Sequence, residues 1–122
     1  MRCLLVDEDA HQRSALGQLL GGYGFEMFET ETADAALHHC RSTTPDVVVT
    51  AERVGGMTPA EFIKRVRRAS RGRKPVVLVC ADKMDTDEIG RAIIEGAAEY
   101  ILRPFDRELL EFKLKQVGLL KA

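Results

Sequence analysis

Apolar positions along the chain fall into two kinds of segment. Short runs rich in β-branched side chains, at residues 3–6, 46–50, 75–80 and 99–102, predict strands covered on both faces, since a half-covered strand would alternate apolar with polar residues. A weaker run at 25–29 follows the stop Gly21-Gly22-Tyr23-Gly24. Between the runs the period changes to that of a helix. Over 11–20, Leu16, Leu19 and Leu20 share one face, and 33–40 predicts a short second helix. Thr58-Pro59-Ala60-Glu61 combines a capping box with proline at the first helical position, and Phe62, Ile63 and Val66 follow as the apolar face. Asp85-Thr86-Asp87-Glu88 puts acids on the positive end of a fourth helix, with Ile89, Ala92 and Ile93 expected inward and Gly96 as its stop. A fifth helix over 107–117 carries a broad stripe of Leu109, Leu110, Phe112, Leu114 and Val117.

A strand and a helix, repeated five times, require a parallel sheet with helices on both faces and right-handed crossovers. The expected fold is therefore an α/β, three-layer, doubly wound sandwich. Ligands of such folds sit outside the carboxyl ends of the strands. The residues there are Asp7, Glu8 and Asp9, then 51–53, then Cys80 and Ala81, then Arg103. Adjacent carboxylates without glycines repel a bare phosphate and disfavour a flavin or dinucleotide site; a hard cation suits them better.

Composition narrows the setting. With 122 residues, 45% hydrophobic and 30% charged, the chain is expected to form one soluble domain with no separate output domain. A net charge of −1 provides no overall field for nucleic acid or an anionic membrane, so nucleic-acid binding is not expected beyond a local patch. No stretch suffices to span a bilayer, and no signal peptide is evident. Cys3, Cys40 and Cys80 are odd in number and lack metal-like spacing, which predicts free thiols and a cytoplasmic location.

Three motifs together carry a family resemblance across nearly the whole chain. Leu4-Leu5-Val6-Asp7-Glu8-Asp9, Pro45-Asp46-Val47-Val48-Val49 and Gly96-Ala97-Ala98-Glu99-Tyr100-Ile101-Leu102-Arg103-Pro104-Phe105 resemble the first strand, third strand and closing segment of response regulator receiver (CheY-like) domains. The resemblance implies a flavodoxin-like (βα)5 sheet of order 2-1-3-4-5. It also implies an aspartate acceptor at the end of the third strand, with magnesium held by that aspartate and the acidic pair Asp7 and Glu8.

Against that pattern the acceptor position is Ala51, which has no nucleophile. The hydroxyl residue ending the fourth strand is replaced by Cys80, a poor donor. The lysine is replaced by Arg103, which keeps the charge and changes its shape. Tyr100 occupies the position of the rotating aromatic. The expectation is a pseudo-receiver that is not an enzyme and needs no cofactor, with magnesium absent or weak at Asp7 and Glu8. Arg103 is expected to bridge Asp7 or Glu8 as an internal counter-ion. The loop from Val54 through Gly55, Gly56 and Met57 is expected to be loose because of its glycine pair.

The implied partners are signalling proteins: a histidine kinase, a phosphotransfer protein or an adaptor target. The implied surfaces are Gln12, Arg13, Leu16 and Leu19 of the first helix and the face around Tyr100. A ligand-sensing alternative places a nucleotide or cyclic dinucleotide on the basic run of Arg65, Arg67, Arg68, Arg71 and Arg73, whose guanidinium planes bind phosphate and stack on bases. A further alternative is a receiver phosphorylated on a displaced acceptor. Glu52 is read as an ordinary solvated loop residue and not as a phosphate mimic. His38, His39 and Cys40 are consecutive on a helix and point apart, so they are not read as a metal site.

Overall fold

The computed structural model describes residues 1–121. Five strands, β1 (Arg2–Val6), β2 (Glu26–Thr30), β3 (Val47–Ala51), β4 (Val76–Ala81) and β5 (Ala97–Leu102), alternate with five helices. The helices are α1 (Ala10–Gly21), α2 (Ala33–Ser42), α3 (Pro59–Ala69), α4 (Thr86–Glu95) and α5 (Arg107–Gln116). All strand pairs are parallel and the order is β2-β1-β3-β4-β5, as the alternation and the resemblance together imply.

The two-residue period of the strands divides the core. Leu4, Val6, Val48, Val77 and Val79 point to one face, where Ala36, Leu37, Phe62, Ile63, Val66 and Ala92 from α2, α3 and α4 cover them. Cys3, Leu5, Val47, Val49, Leu78, Cys80 and Ile101 point to the other, under Leu16 and Leu20 of α1 and Leu110 and Leu114 of α5. Helix α3 starts where its sequence dictates, with Thr58 Oγ1 accepting from Glu61 N at 3.3 Å. Its buried Phe62, Ile63 and Val66 each contribute roughly 1.5–3 kcal/mol of transfer free energy.

Helices α4 and α5 bury less than their patterns predict. Ile93 is 57% exposed, and Ala92 is the buried residue of α4. On α5 the stripe narrows to Leu110 and Leu114, with Phe112 59% exposed and Leu109 37% exposed. Both helices flank β5, the edge strand, which offers each only a partial surface. The loop after β3 is also tighter than its glycines imply. Gly55 and Gly56, at φ 59 and 73, form the two central positions of a turn closed by Met57 N donating to Val54 O at 3.0 Å. Here the glycines supply the left-handed backbone of a defined hairpin turn and anchor buried Val54.

Candidate functional site

The carboxyl ends of β1, β3, β4 and β5 bring Asp7, Ala51, Cys80 and Arg103 together. Register pairs Ala51 with Cys80 and Ala81 with Leu102, so the alanine lies beside the cysteine with Arg103 one residue beyond the neighbouring strand. Asp7 is 5% exposed. Its Oδ1 accepts from Asp9 N at 2.9 Å, and its main-chain carbonyl accepts from Arg13 Nη1 at 2.7 Å. Asp9 in turn caps α1 by accepting from Gln12 N at 3.0 Å, which draws the Asp9 carboxyl below its ordinary value. The acidic loop is thus tied down by its own backbone, while Glu8 is exposed.

Arg103 occupies the middle of this site. Its Nη1 lies 3.5 Å from Asp7 Oδ2, its Nε donates to Asp82 Oδ1 at 3.1 Å and its Nη2 donates to Cys80 O at 3.4 Å. Asp7 is therefore the partner of Arg103 within the acidic pair, but the shorter contact goes to Asp82, a residue the sequence reading did not name. Asp82 follows the β4 end by one residue, so its position just past Ala81 is the sequence signal for it.

Two more ties close the rim. Glu52, expected as a free loop glutamate, accepts from Asp82 N at 3.1 Å. Arg53 pairs with Glu88 of α4. Neither was legible, because contacts between segments 30 or more residues apart leave no local pattern. Tyr100 packs with Ala51 against the α2–α4 core, and its hydroxyl is buried without a hydrogen-bond partner. Burial first, then the negative Glu88 and Glu52, push that hydroxyl up to about 12. Cys80 is fully buried, and burial pushes its thiol up to about 12 against the pull of Arg103. A thiol held protonated in the core is a packing residue and a poor redox centre.

The donors here do not fit a divalent cation of the magnesium type, which takes about six oxygens in near-octahedral array. Ala51 offers no side-chain oxygen, and a guanidinium already sits against Asp7. Among the described residues no group of three or more His, Cys, Asp or Glu side chains is placed to share a metal. His39 packs at a tilt against Phe28, centroids 4.5 Å apart, and Cys40 is buried.

The residues proposed as partner surface separate. Gln12, Leu16 and Leu19 line an open apolar groove of about 190 Å³ with Phe105, in which Leu16, 6% exposed, is the floor. Arg13 turns away toward Glu29 and Glu31, each 3.9 Å distant. Tyr100 belongs to the opposite core.

The arginine run also divides. Arg67 lies against Gly96, where a β-carbon would meet its Nη1 at 3.0 Å. Arg71 and Arg73 line a cavity of about 230 Å³ with Lys74 and Asp46, and Lys74 Nζ caps α3 by donating to Arg67 O and Ser70 O at 2.8 and 3.0 Å. Arg65 and Arg68 face α2. A helix turns about 100° per residue, which separates Arg67 from Arg65 and Arg68, and Arg71 and Arg73 lie beyond the end of α3 at Ala69, so the run does not form one face.

The chain matches the model of the response regulator receiver domain over residues 3–115. It belongs to the response regulator receiver family. Its receiver sequence is 31% identical over 117 residues to the phosphate regulon transcriptional regulatory protein PhoB of Escherichia coli, covering 95% of this chain and 51% of PhoB. The chain thus spans about half the length of that relative. It is 28% identical over 118 residues to the chemotaxis protein CheY of Pseudomonas aeruginosa, covering 96% of this chain and 95% of CheY. In fold, this receiver is similar to the chemotaxis protein CheY4 of Vibrio cholerae, with TM-score 0.85 at 24% identity, covering 95% of this chain and 97% of that one. A two-component response regulator from Clostridium difficile gives TM-score 0.85 at 17% identity, covering 96% and 94%. The chain is accordingly a two-component receiver signalling domain. Among the described residues no helix is long and apolar enough to cross a membrane.

Proposed function

We propose that this receiver acts as a pseudo-receiver: a binding module that takes no phosphoryl group at the usual position and works through protein contacts. One observation carries the reading. The end of β3 presents the methyl group of Ala51, and the cation that would answer a phosphoryl group, Arg103, is already engaged by Asp7 and Asp82. Aspartyl phosphorylation needs a nucleophile, which a methyl group does not supply, and is aided by a cation free to meet the phosphoryl oxygens. Fold alone does not fix function, so the proposal rests on these side chains.

The partners this reading implies are a histidine kinase, a phosphotransfer protein or an adaptor target. The surface it offers them is the groove of Gln12, Leu16, Leu19 and Phe105, whose lining is mainly apolar. Incubation with acetyl phosphate and magnesium, followed by intact-mass measurement, tests the proposal. The expected result is an unchanged mass. A stable adduct of one phosphoryl group would overturn the proposal and support a displaced acceptor.

A further inference from the structure

We infer that the groove between α2 and α3 is an anion site for a diphosphate-bearing small molecule, held by Arg41, Arg65 and Arg68. These three side chains, one from α2 and two from α3, line one cavity of about 200 Å³ whose remaining walls are Leu37 and Ala69. No carboxylate among the described residues lies within ion-pair distance of any of the three, whereas Arg13, Arg53 and Arg103 are each held by acids.

Helix ends account for part of this. Arg41 and Arg68 stand in the last turns of α2 and α3, where a cation complements the dipole without any ligand. Arg65 has no such reason to be there. It sits within α3, and the acid one turn before it, Glu61, is engaged with Thr58 in the capping box at 3.4 Å. Glu8 and Asp34 line the neighbouring cavity with Arg65 and form no ion pair with it. Three guanidinium groups gathered on one groove repel one another until an anion enters, and each presents a planar fork matched to phosphate oxygens.

Size selects the ligand. Pockets that enclose drug-sized ligands run from roughly 300 to 1,000 Å³, so this groove takes a diphosphate group and leaves most of a cyclic dinucleotide outside. Calorimetric titration with inorganic pyrophosphate, ADP and inorganic phosphate tests the site. The expected result is saturable one-to-one binding of pyrophosphate and ADP, with phosphate weaker by about tenfold or more, since it replaces two charge-assisted contacts with one. Arg65→Ala and Arg68→Ala should each weaken pyrophosphate binding by about tenfold, and Arg41→Ala should weaken it as well. The pair Arg71→Ala with Arg73→Ala, on the other cavity, should leave it unchanged. Absence of saturable pyrophosphate binding, or equal weakening by both sets, would overturn the inference, and circular dichroism melts confirm that each variant is folded.

Discussion

Positive charge is handled in opposite ways at two places in this receiver. At the strand ends Arg103 is largely enclosed and its guanidinium meets Asp7, Asp82 and the carbonyl of Cys80. Between α2 and α3, three exposed arginines share a groove and, among the described residues, none of them forms an ion pair. The difference follows from burial. A charge withdrawn from water needs a partner supplied by the chain, whereas an exposed one is stabilised by solvent and can remain unpaired. The first region is therefore neutralised from within the chain, while the second leaves its charges to solvent.

The sharpest way to break this contrast is to remove one arginine from each region. Arg103→Ala leaves Asp7 buried with only the Asp9 amide as a side-chain partner, and should cost about 1–3 kcal/mol in urea unfolding. Arg65→Ala should stay within about 0.5 kcal/mol, as exposed substitutions do. Equal losses would show that the strand-end contacts are no more structural than the groove.

Next in size is Ala51→Asp, which adds a carboxylate beside Asp7 and asks whether the closed site can be reopened. In chelator the variant should lose about 1 kcal/mol through like-charge repulsion. Magnesium should restore it as a saturable rise in melting temperature. The natural sequence should show no such rise at sub-millimolar magnesium, and a clear one would mean that Arg103 gives way to metal.

The fold was legible from the sequence because periodicity and caps are local. The Thr58 box and the left-handed Gly96 stop stand where their residues put them, and the strands do so to within two residues. The candidate site was legible only where it lies on strand ends. Asp7, Ala51, Cys80 and Arg103 converge because parallel strands end together, whereas the ties of Glu52 to Asp82 and Arg53 to Glu88 join segments that no sequence period relates. The arginine run misled for a related reason: its members are close in sequence, yet Arg67 turns to Gly96, Arg71 and Arg73 lie beyond the end of α3 on another cavity, and Arg41, remote in sequence, joins Arg65 and Arg68.

A smaller effect is expected from the rim pair. A double-mutant cycle of Arg53→Ala with Glu88→Gln should give a coupling of about 0.5–1 kcal/mol, since Arg53 is half exposed and solvent screens the pair. A coupling near zero would leave α4 attached to the strand-end region by packing alone.

The smallest effect at neutral pH concerns a proton on Tyr100, whose consequence appears only in alkali. Its hydroxyl is buried without a partner and pushed up to about 12, from 10.0, by burial and then by Glu88 and Glu52. A raised value means that the folded state holds this proton where the unfolded chain releases it. The resulting stability is complete below about pH 10 and is lost as pH climbs toward 12. Ultraviolet difference titration should show a late tyrosine step that disappears in Tyr100→Phe. Glu52→Gln and Glu88→Gln should move that step to lower pH, because each removes a negative neighbour, while Arg65→Ala should leave it in place. A shift on Arg65→Ala would join the two regions electrically, and the contrast between a self-neutralised site and an open one would then fail.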